Sequence, residues 1–134
     1  MGAGHAAVNP LVGTVITLGV AVFFLAMGAY GLAAPAALTR PFGIQLSSPE
    51  ARSEVRAVYG GFGIAVGFLL IAAAWDLGNI RWGALTAVAV ALLGMASGRL
   101  AARITEAPQA FYPVWFYFWA ELTAAAMLLL AVRI

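Results

Sequence analysis

The sequence contains no cysteine and no lysine, a single histidine, and few charges of either sign. Without cysteine the chain has no disulfides, no iron–sulfur cluster and no thiolate nucleophile. The one histidine, His5, lies near the N-terminus, so a histidine-ligated haem or metal site is not expected, and we expect no cofactor. No run of basic residues could follow a phosphate backbone, which argues against nucleic acid as a partner.

The shortage of charge also indicates what surrounds the chain. Charged residues make up 9% and hydrophobic residues 64% of the 134 residues, whereas a typical globular domain is roughly 25% charged. Seven arginines and five acidic side chains cannot cover the surface of a water-soluble fold of this size. We therefore expect the protein to be surrounded by membrane lipid.

Four apolar runs predict an all-α integral membrane bundle. They cover residues of about 11–34, 50–75, 82–102 and 111–132. With a rise of about 1.5 Å per residue, each run can cross a hydrocarbon core of roughly 30 Å. The first run resembles a signal peptide, but no lysine or arginine precedes it and it is too long for one. The prediction is a single four-helix transmembrane domain over residues 1–134.

The segments between the runs carry turn and interface signals. Several prolines interrupt residues 35–50, and Ser48-Pro49-Glu50 is typical of a helix start. Trp75 and Trp82 flank a short polar hairpin, as interfacial anchoring predicts. The fourth run opens with seven aromatic residues among the nine from Phe111 to Trp119. Such a density fits either an interfacial belt or a flat binding wall.

The arginines indicate an orientation. Because the number of spans is even, both termini lie on one side of the membrane, and the loops after the first and third spans lie on the other. The loop side carries Arg40, Arg52, Arg56, Arg99 and Arg103, and the terminal side carries Arg81 and Arg133. The excess favours cytoplasmic loops and outward termini. The count falls to three against two if Arg56 and Arg99 lie inside the bundle.

Small residues at helical spacing predict where the helices approach each other. Helices in lipid gain little from apolar burial, so close contact through small side chains matters. The stripes are Gly63 and Gly67 in the second span, Gly83, Ala87, Ala91, Gly94 and Gly98 in the third, and Gly13, Thr17 and Ala21 in the first. We expect all three stripes to be packing faces within the bundle.

Glu121 is the charge that most needs a partner. It lies about 15 Å along the fourth helix, where an unpaired carboxylate costs several kcal/mol. Tyr117, one turn earlier, could donate a hydrogen bond to it. The expected cation is Arg99 near the end of the third span, and Arg56 on the second span is the alternative.

The candidate polar cluster allows two interpretations. Its members are Glu121, Arg99, Arg56, Tyr59, Tyr117 and Glu54, of which Glu54 lies on a different face of its helix from Arg56. In the first interpretation the charges form an ion pair that fixes the register of the helices. In the second they orient the polar head of a small molecule, or carry a proton, while the aromatic residues hold a lipophilic tail.

One stretch also points to a family. Residues 53–63, Ser-Glu-Val-Arg-Ala-Val-Tyr-Gly-Gly-Phe-Gly, together with Phe42-Gly43-Ile44, Gly98-Arg99 and Glu121, resemble a family of short bacterial four-helix membrane proteins of unknown function. That family is similar to the DoxX-like proteins, and the resemblance covers nearly the whole chain. It implies a location in the bacterial cytoplasmic membrane. It brings no established activity, so no catalytic residue follows from it.

Three functions remain open from the sequence. The first is binding or passage of a small lipophilic or ionisable molecule at the arginine–glutamate cluster, without catalysis. The second is an accessory or self-associating subunit, with a larger membrane complex or further copies of this chain as partner. The third is a membrane enzyme acting on a lipid or isoprenoid. No metal site is expected for any of them.

Overall fold

The computed structural model describes residues 3–107 and 110–134, with side chains described from Asn9 onward. Within these residues the chain forms helices and turns, with no β-strand. The α-helices are α1 (Ala3–Ala33), α2 (Pro35–Thr39), α3 (Pro49–Val55), α4 (Phe62–Ala74), α5 (Arg81–Thr105) and α6 (Phe116–Arg133). Short 3₁₀ turns cover Arg40–Phe42 and Leu77–Asn79, and π-helical segments cover Arg56–Gly61 and Phe111–Trp115.

Four helical stretches are long and apolar enough to cross a membrane. They are Asn9–Ala33, Pro49–Ala74, Arg81–Thr105 and Phe111–Arg133. The second consists of α3, a π-helical segment and α4, and the fourth consists of a π-helical segment and α6. The predicted all-α bundle of four transmembrane helices is confirmed, and the protein is a multi-pass membrane protein.

The four spans are arranged in a ring. α1 packs against α4 and α6, and α5 packs against α4 and α6. We call the end where α1 and α5 finish the loop end, and the end with the tight connection between α4 and α5 the hairpin end. Aliphatic side chains from all four spans meet between them, and Leu70, Leu85 and Leu128 are fully buried.

Glycines bring α1 and the second span into backbone contact. A Cβ atom at Gly28 would lie 2.7 Å from the backbone nitrogen of Ile64, and one at Gly63 would lie 3.0 Å from the Cα of Gly28. A Cβ at Gly67 would lie 2.6 Å from the side chain of Leu25. Only glycine permits this separation, so the predicted packing stripe of the second span is confirmed. The stripe on α1 is also buried within the bundle.

The predicted packing stripe on α5 is wrong. Its members Gly83, Ala87, Ala91, Gly94 and Gly98 are exposed, and nothing lies within 4 Å of a Cβ built on any of its three glycines. α5 turns its aliphatic face inward instead, burying Leu85, Val88, Ala89, Leu92 and Ala96. These larger side chains make more van der Waals contacts with the core than glycines could, and that gain decides the rotation of the helix.

Arg81 ties three spans together at the hairpin end. Its Nη2 donates to the carbonyl of Ala131 at 2.9 Å, and its Nη1 donates to that of Ala74 at 3.4 Å. The hydroxyl of Thr14 donates to the same Ala74 oxygen at 3.2 Å. Carbonyls in the last turn of a helix lack intrahelical partners and attract cations, so Arg81 stabilises the C-terminal ends of α4 and α6. The Asp76 carboxylate accepts from the backbone N–H of Arg81 at 2.9 Å.

Candidate functional site

The site begins with an ion pair between α5 and α6. Arg99 lies six residues before the end of α5, and Glu121 lies five residues after the start of α6, so both are close to the loop end. The Nε of Arg99 lies 3.0 Å from each carboxylate oxygen, and Nη2 lies 2.8 Å from Oε1. The Glu121 side chain is 4% exposed and that of Arg99 is 22% exposed. The carboxylate is thus neutralised and fully hydrogen-bonded inside the bundle.

One edge of the Arg99 guanidinium is not used by the pair. Nε and Nη2 bind Glu121, whereas Nη1 has no hydrogen-bond acceptor among the residues that the structure describes. Within the same residues, every buried side-chain nitrogen and oxygen is satisfied, so Nη1 lies at an accessible surface. In a site at this depth, a donor without a partner favours binding of an acceptor from outside the chain.

Two aromatic rings flank the guanidinium. The Cζ of Arg99 lies 5.8 Å from the ring centroid of Phe42 and 5.4 Å from that of Tyr117. The two rings lie 5.6 Å from each other. Both distances from Arg99 are within cation–π range, which adds attraction without using the N–H donors. The rings therefore hold the arginine in place and leave its free edge available.

Local backbone geometry places Phe42 there. The 3₁₀ turn Arg40–Phe42 ends at Gly43, which has φ of 74° and donates its N–H to the carbonyl of Arg40 at 2.9 Å. Glycine adopts this left-handed conformation without steric cost, so the chain reverses directly after Phe42. The buried Leu38 and Thr39 hold the preceding residues against the bundle.

The segment Phe111–Trp115 places a further aromatic ring, that of Tyr112, beside Phe116 and Tyr117. Tyr112 lies 6.4 Å from Tyr117 and 5.7 Å from Phe116, measured between ring centroids. Tyr112 and Phe116 are more than 40% exposed, so these rings form a surface beside the ion pair and are not part of the core. Tyr112 has an extended backbone (φ -97°, ψ 133°), so its ring is carried by the kinked start of the fourth span.

The structure brings together three of the six predicted site residues. Glu121, Arg99 and Tyr117 meet at the loop end. Arg56 instead donates its Nε to the carbonyl of Leu32 at 3.0 Å and caps the C-terminal end of α1. The alternative pairing of Glu121 with Arg56 is therefore wrong, because Arg99 occupies the carboxylate and the carbonyl at the end of α1 attracts Arg56.

Tyr59 and Glu54 do not join the pair either. Tyr59 is 51% exposed on the outer surface of the second span, and Glu54 is exposed close to its start. Phe42 lies at the site and was not predicted there, whereas Tyr112 was predicted only as one member of the aromatic run from Phe111 to Trp119. Gly43 is the sequence signal for the turn that places Phe42, but it does not indicate where the turn points. No group of three or more potential metal ligands exists among the described residues.

These features define a four-span α-helical membrane protein with a buried arginine–glutamate pair beside an aromatic surface. A family model described as "Domain of unknown function (DUF4345)" matches residues 12–132. The chain belongs to that family. Comparisons with curated proteins and with solved structures give no match. Since neither the fold nor the family description specifies an activity, the function has to be argued from the site itself.

Proposed function

We propose that the protein binds a small lipophilic molecule with an ionisable acidic head, or allows its passage, and that the head binds at Arg99. The observation that supports this most directly is the Nη1 edge of Arg99, which has no acceptor among the described residues and lies beside a carboxylate that is already satisfied. Both oxygens of Glu121 accept from Arg99, so the accessible group of the pair is a hydrogen-bond donor. The complementary ligand therefore carries an acceptor, and an anionic acceptor binds a guanidinium most strongly.

The aromatic surface fits the remainder of such a ligand. The Tyr117 ring lies next to the guanidinium, and the rings of Tyr112 and Phe116 lie next to Tyr117, at the start of the fourth span. A binding site with a few placed polar groups and mostly apolar walls is what a small lipophilic ligand requires.

The test is the binding of stearate to the purified protein in phosphatidylcholine nanodiscs, detected by native mass spectrometry. The decisive variant is Arg99→Gln combined with Glu121→Gln, which removes both charges and strands neither. Arg103→Gln is the control, because Arg103 lies one turn further along the same helix and is exposed. We expect stearate on the wild type and on Arg103→Gln, and its loss from the double variant. Equal binding to all three proteins would refute the assignment to Arg99.

The requirement for an acidic head can be tested separately. Methyl stearate has the same tail without the charge, and we expect it to compete poorly for the site. Glu121→Gln alone leaves Arg99 charged and releases its N–H groups from the carboxylate. This single variant is therefore expected to keep or strengthen stearate binding, measured by the same native mass spectrometry. Loss of stearate from Glu121→Gln would mean that Arg99 binds the head only while Glu121 holds it in position.

A second candidate function, self-association or docking on a larger membrane complex, is favoured by α5. Its exposed stripe of Gly83, Ala87, Ala91, Gly94 and Gly98 is a surface on which another helix could approach closely. Because the chain lacks cysteine, Ala87→Cys can report contact by disulfide formation in native membranes. Val58→Cys, on an exposed face of the second span, is the control. Cross-linking at Ala87 and not at Val58 would support this function, and equal, low cross-linking at both would oppose it.

We also infer the cellular setting. The resemblance of residues 53–63 to short bacterial membrane proteins similar to the DoxX-like proteins supports a location in the bacterial cytoplasmic membrane. With Arg99 paired to Glu121, four of the five arginines at the loop end remain, against two at the hairpin end, and this excess supports cytoplasmic loops and outward termini. In this orientation the free edge of Arg99 faces the cytoplasmic leaflet, from which an acidic lipophile would enter.

A further inference from the structure

A lipid-facing groove runs between α1 and α6, next to the site. It has a volume of about 370 Å³. Its walls include Gly19 and Phe23 from α1, and Phe116, Trp119 and Met127 from α6. Phe116 and Met127 are eleven positions apart, which corresponds to about 16 Å along α6, roughly half the thickness of the hydrocarbon core. Along α6 the groove therefore begins at the loop end, where the ion pair lies, and along α1 it lies near the middle of the span.

Aromatic rings connect the groove with the guanidinium. Phe116 lines the groove and lies 5.7 Å from Tyr112. Tyr112 lies 6.4 Å from Tyr117, whose ring is 5.4 Å from the Cζ of Arg99. The rings therefore form an unbroken series of neighbouring aromatic groups from the groove to the cation. Such a surface is complementary to a ligand that is apolar at one end and anionic at the other.

We propose that the groove between α1 and α6 holds the hydrocarbon tail of a single-chain amphipathic acid whose head binds the free edge of Arg99. The inference rests on the proposed function. It adds that the ligand has a single hydrocarbon chain and that this chain lies in the groove. The single charge of Arg99 matches one acidic head, and a groove of about 370 Å³ has no room for a second hydrocarbon chain. Since the groove opens to the bilayer, the tail enters sideways from the lipid.

Gly19 provides a selective way to close the groove. Nothing lies within 4 Å of a Cβ built at Gly19, so Gly19→Leu projects into the groove without striking the protein. Gly61→Leu is the matched control. Gly61 is also an exposed glycine of a membrane span, and a Cβ there would meet only the carbonyl oxygen of Arg56, at 3.8 Å. Both variants are expected to keep the thermal stability of the wild type, which checks that the fold is intact.

Trp119 is the probe, because it lines the groove. The other three tryptophans, Trp75, Trp82 and Trp115, are changed to phenylalanine, and the protein is placed in phosphatidylcholine nanodiscs. Dibromostearate, whose bromines quench nearby tryptophan, is then titrated into this background and into its Gly19→Leu and Gly61→Leu derivatives. We expect saturable quenching that unlabelled stearate reverses, with half-saturation shifted about tenfold upward, about 1.4 kcal/mol, by Gly19→Leu alone.

The outcomes separate the tail site from the head site. If Gly19→Leu and Gly61→Leu titrate identically while native mass spectrometry still shows stearate bound through Arg99, the tail lies elsewhere and the groove assignment is overturned, but the proposed function stands. Quenching that rises linearly with dibromostearate in every protein, while mass spectrometry still shows stearate on Arg99, also overturns the groove. If no stearate binds to the wild type by mass spectrometry, the proposed function fails, and the groove assignment fails with it.

Discussion

Arg99 crosses from α5 to α6 so that its Nε lies 3.0 Å from both carboxylate oxygens of Glu121. The carboxylate is 4% exposed, and the arginine, at 22%, keeps an accessible edge. The pair is therefore asymmetric: the carboxylate is buried inside the bundle, and the guanidinium is partly exposed at its surface. That asymmetry makes the arginine available to a ligand while the glutamate holds it in position.

The ion pair should be energetically coupled. Arg99→Leu and Glu121→Leu each remove one partner of a buried pair, and each is expected to destabilise the bundle by about 2–4 kcal/mol. The double variant should recover part of this loss, because no charge is then left unpaired. Unfolding in detergent, followed by circular dichroism, measures the cycle. The exposed Arg103 and Glu106, changed to leucine in the same way, should give small and additive effects.

Glycine substitutions should distinguish the two faces that the sequence treats alike. Gly63→Leu forces a side chain against the backbone of Gly28 and should cost about 1–3 kcal/mol or more. Gly94→Leu projects into open space outside the bundle and should leave the stability of the monomer unchanged. Thermal unfolding in detergent compares the two directly. Equal destabilisation would show that α5 is rotated from the orientation described above.

Arg81 should matter more than its place in a surface hairpin indicates. Arg81→Gln removes the charged hydrogen bonds to the carbonyls of Ala74 and Ala131, at a cost of about 1–2 kcal/mol. The control is Arg133→Gln, since Arg133 is exposed at the same end of the bundle. Chemical unfolding of both variants in detergent tests this. Similar stability of the two variants would mean that Arg81 does not hold the ends of the spans together.

The orientation can be measured with single cysteines. Ser47 and Leu77 are exposed residues at opposite ends of the bundle, and neither has the positive φ that makes Gly43 and Gly78 poor sites for substitution. With the termini outward, a membrane-impermeant maleimide should label Leu77→Cys on intact cells, and Ser47→Cys only after lysis. The reverse pattern would invert the orientation and place the free edge of Arg99 at the outer leaflet.

The ion pair was predictable because two simple quantities define it. The helical rise sets the depth of Glu121 in the fourth span, and the end of the third span places Arg99 at the same depth. The capping role of Ser48 was predictable for a similar reason, and its side chain accepts from the N–H of Ala51 at 3.1 Å. Local geometry sufficed in both cases.

Other parts of the site depend on tertiary choices that no spacing reveals. α5 has a glycine face and an aliphatic face with the same period, and only packing against the other spans selects the aliphatic one. Arg56 binds the last turn of α1 through the carbonyl of Leu32, an acceptor whose position depends on how α1 packs against the second span. Phe42 is carried to Arg99 by a turn whose direction depends on the preceding contacts with the bundle.

The most direct test of the account is the distance between a ligand head group and Arg99. Stearate labelled with ¹³C at its carboxyl is bound to protein labelled with ¹⁵N in its arginine guanidinium groups, in phosphatidylcholine membranes, and the dipolar coupling is measured by solid-state NMR. A head on the free edge of Arg99 predicts a ¹³C–¹⁵N separation of about 4 Å, as charge-assisted hydrogen bonds require. The coupling should vanish when Arg99→Gln and Glu121→Gln are combined, and persist in Arg103→Gln. A coupling that survives the double variant, or none in the wild type, would contradict a binding site at Arg99.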